Sequence, residues 1–233
     1  MAGPDTSPPT MMQRVLASDF AFDFTRAPLA MLAAAVVLFL FIIAILAPLV
    51  APTNPFDPAS LNLMNGFTPP MTPNMFTGQS FVMGADDQGR DLLSAIIYGL
   101  RVSLFVGVMS VLLAMGIGVS LGLVAGYVGG WLDNLIMRIA DIQLTFPSIL
   151  IAMLIFGVLR GIIPPDLRDE MAIFVLIAAI GLSEWVPFAR TVRATTLVEK
   201  EKEYVQAARL IGLRRGQIMW RHILPNVIGP VLV

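Results

Sequence analysis

The chain has 233 residues, of which 57% are hydrophobic and only 13% are charged. Soluble domains are roughly half apolar and about one quarter charged, so this composition favours a protein whose solvent is lipid. The net charge of −1 gives no support for a nucleic-acid partner, and the absence of cysteine excludes disulfides and thiolate metal sites. The single histidine argues against a histidine-built metal centre, so we expect no metal and no cofactor.

The N-terminal segment 1–28 is polar, contains prolines and has mixed charge, which predicts a mobile tail. The first apolar run, 29–51, is long enough to cross a hydrocarbon core of about 30 Å and predicts the first transmembrane helix. A signal peptide is the alternative, but its apolar region is shorter, about 7–15 residues, and the segment before it is more basic. We therefore predict an uncleaved anchor.

Residues 52–101 are rich in Pro, Asn, Gly and Asp and contain no long apolar run, which predicts a large external loop. Within this loop, GADDQGRD (84–91) has three carboxylates and Arg90. It lacks the alternating ligands and the terminal Glu of a calcium loop, so a turn with an internal ion pair is expected.

Three further apolar runs follow the loop. Together with the first run they predict an all-α fold, a polytopic transmembrane helix bundle. After them comes a polar and basic segment, 189–225. The runs cover about Val102 to Tyr127, Ile142 to Leu159 and Met171 to Phe188.

A last apolar run starts at Val227 and stops at Val233. Its 7 residues are too few to span a bilayer. We therefore expect a fifth helix that is cut off near its start, in a fragment or a prematurely ended chain. A short re-entrant end is the alternative.

The distribution of Lys and Arg predicts the orientation of the chain, because cytoplasmic segments carry an excess of positive charge. With the tail inside, 11 of the 15 basic residues fall on inside segments, and 8 of those lie in 189–225. We therefore expect a multi-pass protein with a cytoplasmic N-terminus.

The second apolar run carries a small residue at every fourth position. On a helix this spacing forms a groove in which another backbone approaches closely, and such packing replaces the hydrophobic driving force that is missing in lipid. A groove that contacts substrate is the alternative to internal helix packing, which we favour. The residues are Ser110, Ala114, Gly118, Gly122 and Gly126.

Two prolines lie within the apolar runs, Pro147 in the third and Pro187 near the end of the fourth. Each lacks a backbone donor and is expected to bend its helix. The bend is either a hinge or a static kink.

Glu184 is the only acidic residue within the fourth run, in the string GLSEWVPFAR. A carboxylate within a membrane is a candidate functional group. Because it lies close to Arg190, snorkelling or pairing with a cation is the favoured interpretation. Trp131 and Trp185 are interpreted as interfacial anchors on the cytoplasmic side.

The segment 203–226, EYVQAARLIGLRRGQIMWRHILPN, predicts two short helices joined by a turn. The first helix has an apolar stripe at i, i+3, i+4 and i+7, and Gly212 follows where that helix would end. The second half is amphipathic, with arginines on its polar side. The loop is suited to dock a partner or to lie on anionic lipid, and physical arguments alone leave both possibilities open. The stripe is Tyr204, Ala207, Ala208 and Ile211, and the arginines are Arg214, Arg215 and Arg221.

This segment resembles the cytoplasmic loop of bacterial ABC importer permeases. The family pattern is Glu-Ala-Ala, three residues, Gly, nine residues, Ile, any residue, Leu-Pro. Gln206 stands here in place of Glu and His222 in place of Ile, and both differences are similar to the peptide-importer branch. The residues in register are Ala207, Ala208, Gly212, Leu224 and Pro225.

Three further segments resemble the same branch: FVMGADDQGRDLLSAIIYGLRVSL (81–104), GLVAGYVGGWLDNLIMRIADIQLTFPSIL (122–150) and WVPFARTVRATTL (185–197). The resemblance therefore covers about 29–233. The long external loop after the first span resembles that of the second permease subunit in dipeptide, oligopeptide or nickel importers.

The resemblance implies a type I importer fold with a permease core at 102–233 and a coupling loop at 199–226. Family members have six spans, so the core is incomplete at its C-terminus. The implied machine has two permease subunits, two cytoplasmic ATPase subunits and an extracytoplasmic solute-binding protein, in the bacterial cytoplasmic (inner) membrane. The chain has no G-x-x-x-x-G-K-[ST] motif, so ATP hydrolysis is expected on partner chains. The implied ATPase-coupling residues are Tyr204, Ala207, Ala208, Gly212, Arg214, Arg215, His222 and Pro225.

An ATP-independent secondary transporter or channel subunit is the alternative function. Such proteins usually contain internal repeats and interrupted helices at matching positions, and no clear repeat is found in this sequence. A membrane-anchored enzyme is disfavoured because the sequence contains no Ser, His and Asp constellation and no polar catalytic cluster.

Overall fold

A computed structural model describes residues 24–58 and 61–231. Most of the predicted N-terminal tail and the last two residues of the predicted fifth span lie outside the described residues. The described residues form helices and no β-strand, apart from two isolated bridges, which confirms the all-α prediction. The chain divides into two compact units, 1–104 and 105–233.

The first unit begins with an apolar helix, α1 (Pro28–Ile45), and a short helix, α2 (Ala47–Val50). Proline is tolerated at the start of each helix because the backbone N–H groups of the first turn have no acceptor within the helix. A residue without an N–H therefore loses no hydrogen bond there. Apart from its proline, α1 consists entirely of Ala, Met and larger apolar residues, as expected for a helix that lipid surrounds.

The segment that follows α2 is held by polar side chains. The Asn65 side chain is almost fully buried and its amide donates to Gln79 Oε1 at 2.7 Å. Asp86 pairs with Arg90 at 2.7 Å and also accepts the Arg90 backbone N–H at 2.9 Å. Burial by itself raises the pKa of Asp86, but the hydrogen bonds from Arg90 and Gln88, together with the charge of Arg90, outweigh it and lower the pKa. The predicted turn with an internal ion pair is therefore confirmed.

The helix α3 (Leu92–Val128) has 37 residues and crosses the boundary between the two units. It begins well before the second apolar run at Val102, so the last part of the predicted external loop is helical. Asp91 explains the early start, because its carboxylate accepts the Ser94 backbone N–H at 3.0 Å as an N-cap.

Two bent helix pairs follow in the second unit. The helices α4 (Gly130–Leu144) and α5 (Ser148–Ile162) meet at 98°, and α6 (Arg168–Ser183) with its preceding turn meets α7 (Trp185–Glu199) at 41°. The third apolar run is thus two helices, and α5 starts directly after Pro147 because proline cannot donate to the preceding turn. Among the described residues, α1 and α3 are each long and apolar enough to cross a membrane, and each bent pair meets the same test if it counts as one span.

The prediction for Trp185 as an interfacial anchor is wrong. Its indole is 7% exposed and donates to Gln143 Oε1 at 2.8 Å, while the Gln143 amide donates to the Ser183 carbonyl at 2.7 Å. Gln143 therefore satisfies polar groups beside the break between α6 and α7, where the helical ladder is interrupted. Trp131 is exposed.

The expected pairing of Glu184 with a cation is also not formed. Arg190 pairs with Asp141 of α4 at 2.5 Å, and no ion pair involving Glu184 is present in the described part of the chain. Glu184 lies half-buried at the junction between α6 and α7.

Candidate functional site

The predicted small-residue groove on α3 lies against α6 and α7. A Cβ atom at Gly118 would lie 2.5 Å from the Trp185 carbonyl oxygen, and one at Gly122 would lie 2.4 Å from the Ala189 carbonyl oxygen. No larger side chain fits at such distances. Three more residues belong to the groove. Gly126 faces Thr196, and the Ser110 hydroxyl donates to the Ile177 carbonyl at 3.4 Å. The third, Ala114, is buried.

The loop after α7 begins with the short helix α8 (Glu203–Leu210). It ends in a Schellman motif: Gly212 N–H donates to the Arg209 carbonyl at 3.1 Å and Leu213 N–H donates to the Ala208 carbonyl at 3.2 Å. The motif requires a left-handed residue, and Gly212 has φ of 82°. The glycine that the sequence places after the first helix therefore makes the turn.

The inner face of α8 differs from the predicted stripe. Val205 is 0% exposed and Ala208 is 4% exposed, and both belong to one apolar cluster with Leu123 of α3 and Val192 of α7. This cluster ties α8 to two long helices. Val205 was missing from the predicted stripe because its burial depends on residues distant in sequence.

The outer face of α8 is mixed, with exposed Glu203, Gln206 and Arg209, and exposed apolar residues lie at its C-terminal end. Leu210 is 88% exposed and Ile211 is 75% exposed, and Ala207 is also exposed. Three of the four residues in the predicted stripe, Tyr204, Ala207 and Ile211, are thus exposed, and only Ala208 is buried. Exposed apolar groups at the end of a short helix are typical of a surface that a partner covers.

A polar cluster fixes the start of α8. The buried Glu199 carboxylate accepts from the Tyr204 hydroxyl at 2.5 Å and pairs with Lys202 at 2.8 Å. Asn226 donates to the Tyr204 oxygen at 3.0 Å and to the His222 carbonyl at 2.8 Å. Burial, together with the hydrogen bond to Glu199, raises the pKa of Tyr204 to about 12. The cluster joins the end of α7, the start of α8 and the end of the loop.

The second half of the loop is one continuous helical segment of three parts. It consists of α9 (Arg215–Ile218), a π-helical turn (Met219–Ile223) and α10 (Leu224–Val227). The π-helical turn ends at Ile223, two positions before Pro225, which lacks the N–H that a regular α-helix would use there. Its buried side chains are Ile218, Ile223 and Val227; Arg214, Arg215, Arg221 and Pro225 are exposed, and His222 is half-buried.

Two cations of the loop region contact the end of α3. Lys200 Nζ donates to the Gly126 carbonyl at 2.9 Å, and the Arg209 guanidinium lies 5.2 Å from the centre of the Tyr127 ring. Arg193 of α7 forms a two-pronged ion pair with Asp133 of α4. The loop is therefore attached to the helices that precede it through polar as well as apolar contacts.

Glu199, Asn226 and Tyr127 were not among the predicted site residues. Glu199 and Asn226 are five and twenty-two positions from Tyr204, and Tyr127 is far from Arg209 along the chain. No periodic pattern connects such positions. The amphipathic pattern of 203–226 and the basic character of 189–225 indicate that this region does more than connect two spans, but neither pattern identifies these three residues.

Comparisons with known proteins extend these observations. The sequence profile described as "Binding-protein-dependent transport system inner membrane component" matches residues 118–233. A second profile, described as "N-terminal TM domain of oligopeptide transport permease C", matches residues 16–70. The first match includes the C-terminal end of α3, from residue 118 onwards, and the whole of the described loop.

Individual relatives are permeases. The chain is 34% identical to a dipeptide transport system permease protein of Haemophilus influenzae, over 97% of this chain and 72% of the relative. It is 33% identical to an oligopeptide transport system permease protein of Bacillus subtilis, over 92% of this chain and 64% of the relative. It is 38% identical to a glutathione transport system permease protein of Pectobacterium atrosepticum, over 65% of this chain and 47% of the relative.

Proposed function

Because the chain belongs to the family of binding-protein-dependent transport inner membrane components, we propose that it acts as a membrane-spanning permease subunit of an ATP-driven importer for di- and oligopeptides or a related small solute. The family match carries this proposal. The chain spans between 47% and 72% of the length of the three relatives described above, so the activity of the whole protein is part of the proposal.

The substrate class is supported by the names of the relatives. Dipeptides, oligopeptides and glutathione are all peptides, although glutathione differs from the others in its linkage. A path that serves such different peptides needs few side-chain-specific contacts. In this proposal the extracytoplasmic solute-binding protein contributes most of the selectivity, and the permease supplies the path together with a second permease subunit.

The loop 203–226 is the proposed contact with the ATPase subunits. One face of α8 is anchored through Val205 and Ala208, whereas the other presents Ala207, Leu210 and Ile211 to solvent. A helix that is fixed on one side and carries exposed apolar residues on the other transmits the movement of whatever covers it. Displacement of α8 would therefore act directly on α3 and α7.

The basic side chains of the loop support the same proposal. Arg214 and Arg215 follow the Gly212 turn, are exposed, and lie close in sequence to the exposed Leu210 and Ile211. Charged groups around an apolar centre favour specific docking and faster association. The excess of Lys and Arg in 189–225 supports a cytoplasmic position for the loop in this proposal.

Gentle extraction of the tagged full-length protein from its native membrane tests the proposal, with mass spectrometry of the proteins that accompany it. We expect a second permease, ATPase subunits with phosphate-binding loops and an external binding protein. Recovery of an intact, folded protein alone or only as a homo-oligomer would contradict the importer and favour an independent carrier or channel.

A further inference from the structure

A basic cavity of about 430 Å³ lies beside the loop, between the ends of α3 and α7 and the helices α8 and α9. Three cations contribute to its wall: Lys200, Arg209 and Arg215. We propose that this cavity binds the phosphate group of an anionic phospholipid. The site does not include the exposed apolar residues Leu210 and Ile211, although Arg215 also belongs to the proposed ATPase contact, and it does not depend on the importer function.

The positive charge of the cavity is not neutralised within the described residues. Ion pairs in this part of the chain use other cations, and none of them involves the three in the cavity wall. Glu201 is the single carboxylate among the lining residues, so three cations and one carboxylate leave a formal charge of +2. Such a cavity attracts an anion.

Two of the cations are held in place by neutral groups. Lys200 Nζ donates to the Gly126 carbonyl at 2.9 Å, and the Arg209 guanidinium lies 5.2 Å from the centre of the Tyr127 ring. A carbonyl and an aromatic ring orient a cation without cancelling its charge. The stacked guanidinium keeps N–H donors at its edge, and their geometry matches the oxygens of a phosphate.

The remaining wall favours a lipid as the source of the phosphate. Val128 is the last residue of α3, which is long and apolar enough to cross a membrane, and Tyr127 next to it is a residue type enriched at the membrane surface. Leu213 and Ile218 add apolar wall. A phospholipid headgroup with the first carbons of its chains fits a cavity that is both basic and apolar, whereas a free phosphate uses only the basic part.

The cavity and the outer face of α8 use different side chains. Arg209 is directed towards the Tyr127 ring at the end of α3, whereas its neighbours Leu210 and Ile211 are exposed to solvent. An acidic group of an ATPase subunit is therefore the less favoured occupant, and the experiment separates it from the lipid.

Native mass spectrometry of the full-length protein with its partner subunits tests the proposal. The probes are phosphatidylglycerol and phosphatidylcholine with identical acyl chains. We expect the wild-type protein to retain phosphatidylglycerol preferentially and the double variant Arg209→Gln/Arg215→Gln to lose this preference. A juxtamembrane cation contributes about 1 kcal/mol, or roughly fivefold, so the double change should weaken the preference by about 25-fold.

The matched control is Arg214→Gln/Arg221→Gln, which removes the same charge from exposed positions outside the cavity wall. It should keep most of the preference, and Arg209→Lys should keep more of it than Arg209→Gln. An equal loss in the control, or an unchanged preference in the cavity variant, would overturn the site.

Two further arms identify the source of the anion. Inorganic phosphate at the same concentration as the lipid should not displace phosphatidylglycerol from the wild-type protein, and full displacement would overturn the lipid proposal. Loss of ATPase subunits from the cavity variant with unchanged lipid retention would assign the cavity to a protein partner instead. Elution of the variants at the wild-type volume in size-exclusion chromatography controls for misfolding.

Discussion

Replacement of Gly212 by valine should weaken the link between ATP hydrolysis and transport. Gly212 has φ of 82°, and a Cβ atom at this position would meet no atom within 4 Å, so the effect comes from the backbone and not from crowding. A non-glycine residue in the left-handed region costs about 1–2 kcal/mol. This cost shifts the equilibrium from the Schellman turn towards a frayed end of α8 by a factor of roughly 5–30.

The assay is uptake of solute per ATP hydrolysed, in vesicles that contain the full-length importer. We expect a severalfold loss for Gly212→Val and a smaller one for Gly212→Asn, because asparagine adopts left-handed conformations more readily. The control is Gly216→Val in α9, where the glycine also has open space and does not have a positive φ. Wild-type uptake per ATP in Gly212→Val, or an equal loss in Gly216→Val, would refute the role of the turn.

Three further predictions concern packing, charge and proton binding. Gly126→Val should lower the thermal unfolding midpoint in detergent, because overpacking costs about 1–3 kcal/mol, whereas Gly107→Ala in open space should leave it nearly unchanged; equal midpoints would argue against the close contact. Arg214→Glu combined with Arg215→Glu should reduce recovery of ATPase subunits in pull-downs, and unchanged recovery would favour lipid contact for the loop. The raised pKa of Tyr204 means that its stabilising contribution is complete below pH 10 and is lost as the pH rises through about 12. Phenolate absorbance should show a step near pH 12 that Tyr204→Phe abolishes, and the same step in the variant would contradict the assignment.

Some of these features follow from local sequence patterns. Small residues at every fourth position, such as Gly118 and Gly122, indicate a seam on α3 because helical periodicity alone places them on one face. Gly212 indicates a turn because few other residues tolerate a positive φ. Asp91, a residue type that commonly caps helices, also indicates the early start of α3. A search for long apolar runs does not find this start, because the first turn of α3 is partly polar.

Other features depend on contacts between distant residues. The inner face of α8 is determined by Leu123 and Val192, which bury Val205, and a helix of eight residues does not reveal this choice by itself. The sequence around Trp185 is compatible with an interfacial residue. Its burial could not be predicted, because its hydrogen-bond partner, Gln143, lies on another helix.

The bends show the same limit. Pro147 predicted an interruption of the third apolar run, but the angle of 98° between α4 and α5 depends on packing that proline does not determine. In the same way, the ion pair between Arg190 and Asp141 requires α7 and α4 to be neighbours. The assignment of the ATPase-coupling residues stays a prediction.

Site-specific photo-crosslinking at the outer face of α8 tests the proposed coupling most directly. A photoreactive amino acid replaces Ile211 or, in the control, Met75, which is 98% exposed in the predicted external loop. In the assembled importer we predict a crosslink to an ATPase subunit from position 211 and none from position 75. An assembled, active importer without a crosslink from position 211, or with an ATPase crosslink from position 75, would contradict the account.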